Sequence, residues 1–164
     1  MLRTKIFVSF FFFIALASSA WAWNSGDWLI SFSEPSGWRV YECDKVSCMF
    51  MPRDKRAYYS IIAVAAEHKG LNQDNADIYR AAFIQVAENK EKVEIISEQL
   101  VTLNGRQAMK YICQYPVSRQ KTIVYSTVNN RKWYLFEMRT RQNFFDEFAP
   151  GFEQFMETVR FLNP

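Results

Sequence analysis

The dipeptide Asn104-Gly105, placed next to a strand-like run, constrains the fold of this 164-residue chain more than any other local feature. Both residues tolerate the positive φ angles that a tight two-residue hairpin turn requires. The run before them, Val93 to Leu103, has the composition of a strand, so we expect the chain to reverse direction at Asn104. Any acceptable fold must therefore contain an antiparallel sheet.

Other strand patterns predict that this sheet is larger than one hairpin. Lys121 to Val128 and Lys132 to Thr140 are strand-like on either side of the polar turn Asn129-Asn130-Arg131, which predicts a second hairpin. In the second of these strands three large side chains alternate onto one face, namely Tyr134, Phe136 and Met138. The nearly continuous apolar run Tyr58 to Ala66 suits an inner strand covered on both faces, and Trp28 to Phe32 suits a first strand.

Two segments follow the helical period instead. After an N-cap at Asp74 or Asn75, apolar residues recur at helical spacing: Tyr79, Ala82, Phe83 and Val86. A second stripe near the C-terminus consists of Phe145, Phe148, Phe152, Phe155 and Val159. Pro150, followed by Gly151, predicts a kink or a break into two helices near Ala149. The order of elements predicts an α+β domain in which helices flank an antiparallel β-sheet.

The first 22 residues have the pattern of a cleaved secretory signal peptide. Arg3 and Lys5 precede an apolar run of about a dozen residues, shorter than the roughly 20 that span a bilayer, and Ala20-Trp21-Ala22 offers a cleavage site. We expect residues 1–22 to be removed and residues 23–164 to form one domain, without a transmembrane anchor, in the periplasm or the extracellular space. This mature chain has 18 basic and 17 acidic residues, a balance that gives no indication of nucleic-acid binding.

Export permits disulfide bonds, and Cys43 and Cys48 flank a polar four-residue segment. In a hairpin with a loop of that length the two cysteines lie opposite each other within bonding distance, which favours a disulfide; the alternative is two reduced cysteines. Cys113 lies in a strand-like run without a C-x-x-C motif, so we expect a small buried side chain rather than a reactive thiol.

The element order and several short motifs resemble the PsbP-like family. The motifs are Pro35-Ser36-Gly37-Trp38, the helix Asn75 to Glu88, Val101 to Ala108 around the Asn-Gly turn, Trp133-Tyr134-Leu135-Phe136, the aromatic segment Phe145 to Phe152, and Val159-Arg160-Phe161. This family groups PsbP of the photosynthetic oxygen-evolving complex, Ran-binding Mog-type factors and small bacterial envelope proteins. The resemblance implies an α/β/α sandwich that acts by binding other proteins and has no shared catalytic residues. The pair of Cys43 and Cys48 is not part of the family pattern.

The residues themselves provide no recognisable catalytic or metal site. His68 is the only histidine, so a His-dependent nucleophilic system would have to use it, and it lies at a strand end in an expected loop. One histidine and three widely spaced cysteines form no zinc set, and five separated glycines form no phosphate loop. We therefore predict no catalytic residue, metal or cofactor. A hydrolase based on paired carboxylates stays open, because their separation is three-dimensional.

Two groups of residues are candidates for binding a partner. Arg131, Arg139 and Arg141 share parity along an extended strand and would form a basic strip for an acidic protein or anionic lipid headgroups; the alternative is an ordinary charged sheet face. Trp28 and Trp133 are candidate interface aromatics, unless they are covered by a helix or by the N-terminal segment.

Three functional hypotheses follow from these observations. The leading one is an exported, non-enzymatic domain that binds another envelope or secreted protein through its sheet face and flanking aromatics. The second is a carrier or chaperone for an apolar ligand or a hydrophobic segment, held in a cleft between sheet and helix that Met138, Phe145 and Phe148 would line. A hydrolase is the weakest alternative.

Overall fold

The computed structural model describes residues 22–25, 28–89 and 91–162. Its strands are β1 Ala22–Ser25, β2 Ile30–Ser33, β3 Trp38–Cys43, β4 Ser47–Pro52, β5 Ala57–Ala65, β6 Glu94–Leu103, β7 Arg106–Tyr115, β8 Gln120–Asn129, β9 Lys132–Arg141 and β10 Arg160–Phe161. Its α-helices are α1 Ala76–Ala87 and α2 Phe145–Thr158, the second preceded by one 3-10 turn. The predicted leader lies outside the described residues except for Ala22, the first residue of β1, and its cleavage stays a prediction.

Seven of the strands form one antiparallel sheet in the order β3-β4-β5-β9-β8-β7-β6. Both predicted hairpins are present, β6-β7 and β8-β9, and β5 is an inner strand as expected. The remaining strands form a small antiparallel sheet in the order β1-β2-β10. The predicted α+β class, an antiparallel sheet flanked by helices, is confirmed.

The two hairpin tips explain why the chain reverses where it does. At the tip of β6-β7, Asn104 has a φ of 46° and Gly105 a φ of 80°. At the tip of β8-β9, Asn130 and Arg131 have φ angles of 48° and 61°. Positive φ at both central residues matches the right-handed twist of the flanking strands, so these sequences determine the register of four strands.

One face of the large sheet is covered by α2 together with β2. The alternating side chains of β9, Tyr134, Phe136 and Met138, are fully buried there, as the sequence pattern predicts. From the covering layer, Phe155 of α2 packs edge-on against Phe32 of β2, with ring centroids 5.5 Å apart. Most of the hydrophobic core lies on this side of the sheet.

The helix α2 is continuous from Phe145 to Thr158 and contains Pro150. Of the two predicted alternatives near Ala149, the break into two helices is therefore wrong, and the kink stays a prediction. An interior proline costs about 3 kcal/mol through a lost hydrogen bond and a steric clash. Burial of Phe152 and Phe155, each contributing about 1.5–3 kcal/mol, offsets that cost and keeps the helix whole.

The opposite face of the sheet packs against α1. Tyr79 and Phe83 of this helix are buried, and the Phe83 ring stacks on Tyr111 of β7 at a centroid distance of 4.7 Å. Val86, predicted to continue the buried stripe, is 47% exposed, because the end of α1 overhangs an open groove instead of the sheet core. In the described part of the chain, no helix combines the length and apolarity needed to cross a membrane.

Candidate functional site

Helix α1 covers only part of its face of the sheet, because the strands extend beyond the end of the helix. A helix of 12 residues spans about 18 Å, whereas the 10 residues of β9 extend over about 33 Å. Tyr79, near the start of α1, lies against Trp133 at the start of β9, with ring centroids 5.8 Å apart. Ala87, the last residue of α1, borders one cavity together with Glu137 and Arg139. The far end of β9 on this face is therefore open.

An ion pair occupies the point where the cover ends. Arg139 donates from Nε to Glu137 Oε1 at 2.9 Å, and its Nη2 lies 2.8 Å from the same oxygen. The side chain of Arg139 also extends across β8, where its cross-strand neighbour is the small Thr122, and its Nη2 donates to the Tyr115 hydroxyl at 2.8 Å. Both charged side chains are mostly buried, with exposed fractions of 20% for Arg139 and 17% for Glu137.

The electrostatics of this pair keep it charged and keep the neighbouring hydroxyls protonated. Burial by itself lowers the pKa of Arg139, but the charge of Glu137 and smaller contributions from Tyr58 and Tyr115 together more than compensate, and the net effect raises the pKa above its usual value. Burial raises the pKa of Tyr115 to about 12. Burial, followed by the charge of Glu137, raises the pKa of Tyr58 well above its usual value. Both tyrosine hydroxyls are therefore hydrogen-bond donors at neutral pH.

Two connected cavities open beside the ion pair. The larger is a groove of about 640 Å³ bordered by Tyr58, Tyr115, Glu137 and Arg139, and by Glu91, whose carboxylate accepts hydrogen bonds from the backbone N–H and the hydroxyl of Ser118. The smaller is a recess of about 70 Å³ beneath the end of α1, and its apolar wall consists of Ile62, Phe83, Val86, Ala87, Val124 and Leu135. We refer to the groove and the recess together as the cleft. It combines donors, an acceptor and an apolar cavity within one site.

Beyond the cleft, the same end of the sheet is basic. Lys55, Arg119 and Arg141 are exposed there and line grooves of about 540 and 650 Å³. Within the described residues, none of the three is in an ion pair, whereas neighbouring Arg56 is bound by Asp54 and Glu147. We refer to Lys55, Arg119 and Arg141 as the basic end. It is continuous with the cleft, because the two adjoining grooves share Tyr58, Gln120 and Arg139.

The structure separates the three arginines of the predicted basic strip. Arg139 and Arg141 lie on the same face of β9, at the cleft and at the basic end. Arg131 lies in the turn before β9, about 26 Å from Arg139 and about 33 Å from Arg141 along the strand, so it does not share a patch with them. Of the two arginines on β9, Arg141 is exposed and has no ion-pair partner among the described residues, whereas Arg139 is bound by Glu137. A role for each arginine in binding stays a prediction.

Both candidate tryptophans are covered by the chain itself. Trp28 is 2% exposed, and its indole Nε1 donates to the Lys45 carbonyl oxygen at 2.7 Å. Trp133 is 9% exposed and donates from Nε1 to Ser126 Oγ at 2.8 Å, beneath Tyr79 of α1. Of the two alternatives that the sequence left open, burial is the one observed, because both side chains point toward a covering layer rather than solvent.

The residues predicted to line an apolar cleft form packed core instead. Met138 is fully buried and Phe145 nearly so, between the sheet and α2. Phe148 is partly buried, lies edge-on against Trp38 at 5.9 Å, and is covered by the Arg56 guanidinium at 5.2 Å. These contacts join α2 to the sheet, so the apolar recess of this fold lies on the α1 face rather than under α2.

The predicted disulfide is present. Cys43 and Cys48 are direct partners in the β3-β4 register, with Cα atoms 4.1 Å apart, and they are bonded. Cys113 is buried as expected, and burial raises the pKa of its thiol to about 12. The single histidine, His68, lies 3.0 Å from the Tyr79 hydroxyl through Nδ1. Among the described residues, no group of three or more His, Cys, Asp or Glu side chains is placed to hold a metal ion.

Sequence reasoning missed Tyr58, Tyr115 and Glu137 as site residues. A signal for Glu137 was present, because it alternates with Trp133 and Leu135 on a face that is otherwise apolar along the first half of β9. A carboxylate on an inner strand is costly unless a partner or solvent reaches it, so such a residue indicates either an ion pair or an opening. The two tyrosines come from β5 and β7 and carry no comparable local signal.

Known proteins resemble this chain in structure but not detectably in sequence. No family model matches the chain, and no curated protein sequence matches it. Among solved structures, cyanobacterial PsbP from Synechocystis is similar with a TM-score of 0.66 and 13% identity, covering 85% of this chain and 91% of that one.

Two further structures resemble the chain more distantly. A Bacteroides thetaiotaomicron protein has a TM-score of 0.56 and 16% identity, covering 87% of this chain and 48% of the other. A Pseudomonas aeruginosa protein of unknown function has a TM-score of 0.55 and 13% identity, covering 87% of this chain and 95% of the other. Identities this low establish similarity of fold alone. The chain has a PsbP-like fold: an α+β domain with a seven-stranded antiparallel sheet between two helices.

Proposed function

We propose that this protein is a non-enzymatic, exported accessory domain that binds another envelope or secreted protein through the basic end of its large sheet. The observation that carries the proposal is the exposure of Lys55, Arg119 and Arg141 at one end of the fold, where none of the three has an ion-pair partner among the described residues. Export is supported by the leader pattern and by the disulfide between Cys43 and Cys48.

The chemistry of this surface indicates the charge of the partner. Three cations without an ion-pair partner in the described part of the chain line two grooves and produce a local positive potential, although the mature chain is close to neutral overall. Such a surface attracts an acidic patch, accelerates the encounter, and discriminates against basic competitors through like-charge repulsion. The affinity contributed by exposed charges is modest and depends on ionic strength. We therefore infer an acidic protein partner whose binding weakens as salt is raised.

The proposal is tested by reversing charge at the basic end and, as a matched control, at the opposite end of the sheet. The test variant is Arg119→Glu with Arg141→Glu. The control is Lys69→Glu with Arg106→Glu, two exposed residues at the opposite end of the sheet. Each variant changes the net charge by the same amount, so a general electrostatic effect would appear equally in both.

The assay is chemical crosslinking in intact cells of the source organism, followed by identification of the crosslinked protein and titration of the purified pair. We expect the affinity to fall at least tenfold for the basic-end variant, and to fall with salt for the unaltered protein. The control should bind as the unaltered protein does. Equal affinity of the two variants for the partner would contradict the proposal.

A further inference from the structure

We propose that the cleft binds an extended peptide segment, with one branched aliphatic side chain in the recess beneath α1 and acidic residues following toward the basic end. This inference deepens the proposed function, because it names the chemistry of the partner segment at the same end of the fold. It rests on three features of the cleft: the size and lining of the recess, the unsatisfied polar groups at its rim, and the path of the groove.

The recess fits an aliphatic side chain of a particular size. Its volume of about 70 Å³ is roughly half that of an engineered apolar cavity known to hold benzene, which suits a group of three or four carbons. Its wall is formed by Ile62, Phe83, Val124 and Leu135 with the end of α1, and such a wall favours an apolar occupant over water. A valine, leucine or isoleucine side chain meets both requirements.

The rim of the recess presents the donors and the acceptor that a peptide group needs. Within the described residues, the Arg139 Nη1 and the Tyr58 hydroxyl have no hydrogen-bond partner, so both can donate to a carbonyl oxygen. Among the residues that the structure describes, Glu137 Oε2 accepts only a long hydrogen bond, 3.4 Å, from Ser60 Oγ, so it can accept from an N–H. Because Glu137 already neutralises Arg139, a neutral amide suits the rim better than a free anion does.

The groove directs the rest of the segment toward the basic end. It passes from the recess by Tyr58 and Gln120 to the neighbouring groove at Arg141. Arg139 and Arg141 are two residues apart on β9, a separation of about 7 Å, which matches two residues of an extended peptide. An aliphatic residue with acidic residues two or more positions away therefore meets the recess and the cations together.

The experiment titrates isotope-labelled protein with blocked tetrapeptides and follows backbone amide shifts by NMR. The probes are acetyl-Leu-Gly-Asp-Asp-amide and the reversed acetyl-Asp-Asp-Gly-Leu-amide, because the chain direction in the groove is open. The controls are the same peptides with Ala in place of Leu. We expect one leucine peptide to shift the backbone amide resonances of Val86, Ala87 and Tyr115 with a Kd of about 1 mM. Its alanine counterpart should bind at least tenfold more weakly.

Two pairs of variants test the location. Ala87→Leu fills the recess and should abolish binding of the leucine peptide, whereas Ala81→Leu makes the same change on the exposed side of α1 and should leave binding unaltered. Tyr58→Phe removes one rim donor and should weaken binding about fivefold, whereas Tyr41→Phe at an exposed position should not. If Ala87→Leu perturbs folding, the comparison of Tyr58→Phe with Tyr41→Phe still tests where the peptide binds.

The outcomes separate this inference from the proposed function. Equal binding of leucine and alanine peptides, or no shift at about twentyfold above the expected Kd, overturns the assignment of the recess. If partner binding still depends on Arg119 and Arg141 in that case, the proposed function at the basic end is retained and only the role of the recess is wrong. If Ala87→Leu abolishes binding of a leucine peptide while the charge reversals leave partner binding unchanged, the recess is a peptide site and docking at the basic end is wrong.

Discussion

The hairpin tip Asn104 combines a backbone role with a side-chain role, and substitution can separate the two. Its φ is 46°, and its side-chain amide donates to the carbonyl oxygens of Met156, at 3.1 Å, and Val159, at the end of α2. The other tip, Asn130, has a φ of 48°, but its buried Nδ2 has no hydrogen-bond partner among the described residues. Identical substitutions at the two tips therefore isolate the amide hydrogen bonds to α2.

The expected magnitudes follow from these contacts. Asn104→Gly retains the left-handed backbone and removes two hydrogen bonds of about 1 kcal/mol each, so the free energy of unfolding should fall by about 2 kcal/mol. Asn104→Ala adds the strain of alanine at positive φ, about 1 kcal/mol, and should cost about 3 kcal/mol. At Asn130 the glycine variant should be nearly neutral and the alanine variant should cost about 1 kcal/mol.

The assay is equilibrium unfolding in urea, followed by far-ultraviolet circular dichroism with the disulfide intact. Variants should be compared only where their m-values agree, so that the shift in midpoint reports stability. The glycine variants at the two tips should differ by about 2 kcal/mol, and so should the alanine variants. A difference below about 0.5 kcal/mol in either pair would refute the reasoning, because the amide bonds to α2 would then contribute no net stability.

Three further changes test other parts of the structure. Reduction of the Cys43–Cys48 bond opens a loop with a sequence separation of 5 and should lower the free energy of unfolding by about 2 kcal/mol; an unchanged urea midpoint would contradict the loop-entropy argument. Trp133→Phe removes the indole hydrogen bond to the fully buried Ser126 hydroxyl and part of a buried ring, and should cost about 3 kcal/mol in thermal unfolding; a cost below about 1 kcal/mol would contradict this. Burial raises the pKa of the Cys113 thiol from 9.0 to about 12, so the unfolded chain loses this proton first and the free energy of unfolding should decline as pH rises above 9.0. The variant Cys113→Ala should show a smaller decline, and an equal slope of the free energy of unfolding against pH in the two proteins would contradict this prediction.

The features that the sequence predicted correctly depend on local physics. Asn104-Gly105 determines its own turn because the required φ angles are a property of two residues. The alternation of Tyr134 with its neighbours identifies a buried face because strand geometry repeats every two residues. The pairing of β5 with β9 was not predictable in this way, since nothing local to either strand specifies a distant partner.

The predictions that were wrong, and the site residues that were missed, depend on packing between distant elements. Pro150 obeys a local rule that predicts a helix break, but the aromatic face of α2 is buried against the sheet and outweighs it. Val86 has helical spacing from Phe83 and yet is exposed, because the position of α1 on the sheet decides which turn of the helix is covered. The cleft itself required four strands, β5, β7, β8 and β9, and the end of α1 to be placed relative to one another.

The unequal cover of the two sheet faces links stability to binding in this fold. The α2 face is closed, with Phe136 and Phe152 fully buried, and holds most of the core. The α1 face is closed only as far as Glu137, and the charged residues begin there. Two more turns of α1 would cover Glu137 and Arg139, remove their remaining contact with water and add to the desolvation penalty of the pair. The short helix avoids that addition and leaves the ion pair with its hydroxyl neighbours at a solvent-accessible rim, where a peptide can reach them without any change in the core.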